Sequence, residues 1–232
     1  MKSIFSICLA IGLSSAFNAS AATIYSQTTP SEPFAAFSSA DFPISQKSAD
    51  NFLIDAAEPV TVRSLRFIGS TGVVTPTPDV FRVVFLEDAG GLPGAPLVGG
   101  DFDIGSPYSR EPTGGPLLNG VTTPHEYIVN VPGGLVLSPG TIYWLSITNT
   151  PQPNLGWVWA RADSELDQLT AATSGSVASG PWNTFETGGM WFELNDQTIP
   201  EPSSLLLLLA SLCSTVVARS RQCNQASISP KI

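Results

Sequence analysis

Glycine and proline interrupt this chain too often for a long helix to form. Its 232 residues hold 20 of each, and between residues 22 and 198 no apolar pattern of helical period lasts beyond about two turns. What recurs is a short run rich in Val, Ile, Phe, Tyr and Trp, closed by turn residues, which is how a strand reads in sequence. Eight such runs are expected: Asp50–Ile54, Val60–Phe67, Val80–Leu86, Phe102–Ile104, Glu126–Val131, Thr141–Thr148, Gly156–Arg161 and Met190–Leu194.

Alternation inside these runs assigns faces, because successive strand side chains point to opposite sides. Val60 and Val62, then Leu65 and Phe67 after a bulge, are expected to face inward. Thr141–Thr148 sets Ile142, Trp144 and Ser146 on one face and Tyr143, Leu145 and Ile147 on the other. Val80–Leu86 is almost continuously apolar, which suits an interior strand. Strands about ten residues apart without crossover helices predict an all-β, antiparallel β-sandwich of jelly-roll-like kind over residues 22–198. Residues 164–173 are the one short helix expected. Residues 69–78, 89–96 and 105–120 read as loops, the last long enough to carry function.

The two ends follow a different logic. Lys2, an apolar stretch Ile4–Leu13 and the small residues Ala19 and Ala21 read as a signal peptide over 1–21, cleaved before Ala22. Near the other end, Pro200-Glu201-Pro202 precedes an apolar run through Ala218, with Arg219 and Arg221 directly behind it. The prolines keep a helix from extending back into the domain, and the arginines would stay on the cytoplasmic side during export. Counted from Ser203 to Ala218, the run is shorter than the ~20 residues that span a bilayer comfortably. It suits transient retention, with permanent tail anchorage as the alternative.

Proline-glutamate-proline, an apolar segment and a short arginine cluster, in that order, resemble the PEP-CTERM sorting signal over residues 199–221. The resemblance implies recognition of Pro200, Glu201 and Pro202 by an exosortase, a membrane-embedded transpeptidase, with Arg219 and Arg221 as the basic cluster. Residues 222–232 would follow as a short cytoplasmic-side tail. Phe81–Asp88, Gly140–Ile147 and Trp157-Val158-Trp159 also resemble a β-sandwich domain common among proteins with this tail, most of which lack an assigned activity. The implied partners are signal peptidase and exosortase, with at least transient membrane contact. The implied location is the cell surface or extracellular polymer.

Composition narrows the chemistry. Cys8, Cys213 and Cys223 all lie in the end segments, so residues 22–198 hold no disulfide and no cysteine–metal site. Six Lys and Arg against eighteen Asp and Glu leave that region near −12, which disfavours nucleic acid as a partner. The only histidine, His125, stands at a strand start without a Gly-x-Ser-x-Gly elbow, so no catalytic residue is assigned. Asp101 and Asp103 share a strand face and are the candidates for Ca²⁺, the only cofactor considered. Glu87-Asp88 and the spaced Asp163, Glu165 and Asp167 offer further carboxylates.

All five tryptophans fall in the C-terminal half. Trp157, Trp159 and Trp182 are the candidates for stacking on sugar rings, against the simpler reading of Trp157 and Trp159 as sandwich core. Trp182, between Gly180-Pro181 and Asn183-Thr184, is expected to be the exposed one. The expected function is an exported, non-catalytic surface or matrix protein. A carbohydrate-binding module on extracellular polysaccharide is the alternative, and a secreted hydrolase with a paired-acid cleft is the third.

Overall fold

The computed structural model describes residues 22–28, 35–37, 46–71, 80–105, 109–120, 122–150, 156–162, 169–174, 181–186 and 188–198. The expected signal peptide (1–21), sorting segment (199–221) and terminal tail (222–232) lie outside the described residues. Within them the chain is all-β, with no helix. Its strands are β1 (Thr23–Gln27), β2 (Ala35–Phe37), β3 (Gln46–Leu53), β4 (Val60–Thr71), β5 (Phe81–Asp88), β6 (Pro93–Ile104) and β7 (Ser109–Pro112). They continue with β8 (His125–Leu137), β9 (Ile142–Asn149), β10 (Trp157–Ala162), β11 (Leu169–Ser174), β12 (Asn183–Glu186), β13 (Gly189–Met190) and β14 (Phe192–Asn195).

Two antiparallel sheets pack together, as in a β-sandwich. One runs β1-β14-β4-β10-β13, with β8 on β4, β7 on β8 and β2 on β10; the other runs β12-β11-β3-β9-β5-β6. Inward residues alternate as expected. Val62, Leu65 and Phe67 of β4 and Tyr143, Leu145 and Ile147 of β9 all join the main core. The expected bulge is present as a register shift between Val62 and Ser64. The extra residues sit on β8, where Gly133 and Gly134 both have positive φ, a conformation that costs glycine nothing. β5 lies between β9 and β6, the interior place its apolar run predicts.

The core is dense in aromatic rings. Phe67 and Phe81 meet edge to face at 5.3 Å, and Phe81 meets Trp157 the same way at 5.1 Å. Such pairs add about 0.5–1.5 kcal/mol beyond area burial. Gly69 of β4 makes room for this packing, because a Cβ there would overlap the Trp157 ring.

Four expectations are corrected, the first being the loop read at 89–96, into which β6 extends from Pro93 and pairs with β5. The helix expected over 164–173 is not one: Leu169–Ser174 is strand β11, antiparallel to both β3 and β12, while residues 163–168 lie outside the described set. The pairing of Thr170–Ser174 with Asp50–Gln46 supplies backbone partners that a short Ala/Thr-rich segment cannot supply by itself. The loop read at 105–120 contains β7, which pairs with β8. The loop read at 69–78 begins inside β4, since Gly69, Ser70 and Thr71 pair with β10.

Candidate functional site

The six-stranded sheet carries different chemistry on its two sides. Inward, β3 contributes Phe52 to the main core and also Asp50, which is buried. Asp50 Oδ2 accepts from Gln27 Nε2 at 2.7 Å and from the Met190 amide at 2.6 Å, while Oδ1 has no partner among the described residues. Gln27 is itself held by Tyr25, whose hydroxyl donates to Gln27 Oε1 at 2.7 Å. Burial pushes the Asp50 carboxyl up to about 7, and the Met190 and Gln27 donors pull against that rise. This cluster ties β1, β3 and β13 together inside the protein.

Outward, the register assembles a cleft from four strands together with Thr150, just after β9, and Trp182, just before β12. Val84 of β5 and Ala49 of β3 both lie opposite Ser146 of β9. Arg82 lies opposite Thr148, and Lys47 stands two residues from Ala49 on the same face. Asp101 of β6 pairs with Val84, which sets its carboxylate diagonally across from Arg82. Arg82 donates from Nε to Asp101 Oδ1 at 2.8 Å and from Nη2 to Oδ2 at 2.6 Å. That fork holds the Asp101 carboxyl below the ordinary aspartate range.

Trp182, immediately before β12, closes the cleft. It is half-buried and packs against the outer-face cluster of Ala49, Leu86 and Trp144. Lys47 Nζ lies 4.4 Å from its ring centroid, a cation–π contact. The cleft measures about 450 Å³, within the ~300–1,000 Å³ typical of ligand pockets. Partial burial, and then the neighbouring Arg82 charge, hold Lys47 below the ordinary lysine value. No described carboxylate forms an ion pair with Lys47.

The sequence candidates separate clearly. Trp157 and Trp159 are fully buried in the main core, so the stacking role considered for them is corrected and the core reading holds. Trp159 Nε1 donates to Trp191 O at 2.9 Å, Trp191 Nε1 to Thr28 O, and Trp144 Nε1 to Asp88 Oδ1 at 2.8 Å. Four tryptophans are thus buried, and Trp182 is the one that reaches the surface.

Asp101 and Asp103 do share an exposed face, and both Asp101 oxygens accept from Arg82, a contact that Ca²⁺ would have to compete with. Asp103 brings no described acidic cluster of three or more with it. Asp88 of the Glu87-Asp88 pair holds the Trp144 indole and the Gly91 amide of its own turn, a structural task. His125 begins β8 opposite Gly69 and Pro112. Asp163, Glu165 and Asp167 lie outside the described residues, as do Ala19, Ala21, Pro200, Glu201, Pro202, Arg219 and Arg221. Ala22 is described: its amide donates to Asp196 Oδ1 at 2.9 Å.

Lys47 and Arg82 carried no signal as single residues. Positions 47, 82, 101 and 182 meet only through the strand order β12-β11-β3-β9-β5-β6. Compared with known proteins, the chain matches no protein-family model, no curated protein and no solved structure.

Proposed function

We propose that this chain is an exported, non-catalytic surface or matrix protein whose jelly-roll-like sandwich is delivered behind a signal peptide and processed at its tail by an exosortase-type system. The observation that carries this reading lies at the expected cleavage point. The Ala22 amide sits on Asp196 Oδ1, and β1 starts one residue later. Cleavage before Ala22 would convert that amide into an ammonium group already facing a carboxylate. The order of Pro200-Glu201-Pro202, apolar run, Arg219 and Arg221 supports processing at the other end. Intact-mass analysis of the protein from an exosortase-bearing host tests both ends. A product starting at Ala22 and lacking the apolar run agrees with the reading. A full-length tail that Glu201→Ala leaves unchanged contradicts it.

A second reading, carbohydrate binding, is favoured by the Trp182 cleft. It joins one surface-reaching indole to two cations and to the hydroxyl-bearing Ser146, Thr148 and Thr150, the mixture of aromatic surface and hydrogen-bonding groups that sugar rings require. The hydrolase reading lacks such support, because the carboxylate of Asp101 is committed to Arg82 and that of Asp88 to Trp144.

A further inference from the structure

Resting on the carbohydrate-binding reading, we propose that the cleft of Lys47, Arg82 and Trp182 binds a carboxylate-bearing sugar residue of an acidic polysaccharide.

The charge of the cleft favours an anion. Residues 22–198 hold only six basic side chains against eighteen acidic ones, yet two of the six, Lys47 and Arg82, line this one cleft. Among the described residues lining it the one acid, Asp101, is spent on Arg82 through a two-pronged contact. Lys47 has no described ion-pair partner, and its protonated form is disfavoured by burial and by the Arg82 charge. An anion entering the cleft would relieve that repulsion and pair with the Lys47 ammonium. Asp103, opposite Arg82 in the β5–β6 register, also acts on Arg82 but not on Lys47, and exposed charges beyond ~8–10 Å are largely screened at physiological salt.

The walls of the cleft favour a charged sugar over a neutral one. Lys47 sits over the Trp182 ring, so a neutral sugar finds that part of the indole taken. A uronate instead places its carboxylate at Lys47 and its ring against the apolar Val84, Leu86 and Pro96. The hydroxyls beside it are prepared as acceptors. Ser146 Oγ donates to Ser48 O at 2.8 Å and Thr150 Oγ1 donates to Val80 O at 2.9 Å. Their lone pairs therefore remain for sugar hydroxyl protons.

The same cation occurs in a contrasting setting on the other sheet. Arg66 contacts Glu126 at 2.6 Å and Glu193 at 3.5 Å, and lies over Trp191. Two carboxylates satisfy Arg66, so it has no comparable demand for an external anion. Arg66→Gln is accordingly the control substitution.

The test uses the full chain in mild detergent with three polymer probes: polygalacturonate, dextran and dextran sulfate. The expected result is binding to polygalacturonate, weakened about tenfold or more by Lys47→Gln through loss of a charge-assisted contact. Lys47→Arg should retain binding, and Arg66→Gln should leave it unchanged. Unaltered thermal melting of Lys47→Gln would show that the loss is local. Equal binding to dextran would overturn the acidic-sugar inference while leaving the carbohydrate reading intact. Equal binding to dextran sulfate, insensitive to Trp182→Ala, would overturn it as general polyanion attraction. Binding to none of the three would remove both.

Discussion

β3 presents one ionisable group to each side of its sheet, and the protein treats the two in opposite ways. Asp50 points inward, is buried, and is pushed toward its neutral form. Lys47, three residues earlier, points outward beside Arg82 and Asp101, where water still screens the charges. The inner group holds β1 and β13 to β3 and contributes to the fold. The outer groups carry charge that packing does not require. The comparison therefore separates side chains whose loss should cost stability from those whose loss should cost recognition.

The largest expected effect is on the inner side. Phe52 of β3 touches Tyr25, Phe85, Tyr143 and Phe192, so Phe52→Ala should destabilise by about 3–5 kcal/mol in chemical denaturation. A loss under about 1 kcal/mol would show that this interior is not closely packed. Next comes the pH dependence of Asp50. Its carboxyl rises from 3.8 to about 7 on folding, so between those values the folded state keeps a proton that the unfolded chain releases. Stability should therefore fall as pH rises from about 4 to about 7 and level off above, by up to on the order of 4 kcal/mol. Asp50→Asn should flatten that slope, so denaturant midpoints for both proteins at pH 4.5 and 8 check it. A slope unchanged in Asp50→Asn would assign the effect elsewhere.

Smaller effects belong to the outer faces. Arg66→Gln on the eight-stranded sheet should cost about 0.5–1 kcal/mol, because its ion pairs are partly exposed. Lys47→Gln should cost about 0.5 kcal/mol, losing its cation–π contact over Trp182 but no ion pair. If it destabilised more than Arg66→Gln, the outer cleft would be a structural element and the comparison would collapse.

Much of the inner side was legible in the sequence, because period-two alternation is a local signal. It set Val62, Leu65 and Phe67 and the two faces of Thr141–Thr148 correctly. It failed where tertiary pairing outweighed local preference. Leu169–Ser174 is short and rich in Ala and Thr, and only hydrogen bonding to β3 and β12 makes it a strand. The apolar pattern starts this strand at Asp50, because Gln46, Lys47 and Ser48 are polar, whereas β3 begins at Gln46. That truncation hid Lys47. Trp182 stood out through its glycine and proline neighbours, but the contacts that give it meaning come from positions 47, 84 and 86. Strand order brings those together, and no spacing along the chain announces it.

Tryptophan fluorescence offers the most direct test, since four of the five indoles are buried and Trp182 alone reaches the cleft surface. Iodide quenching of the full chain should show one accessible indole, lost in Trp182→Phe and protected when polygalacturonate is added. Quenching that persists in Trp182→Phe, or that the polysaccharide leaves unchanged, would contradict the outer cleft as the recognition surface.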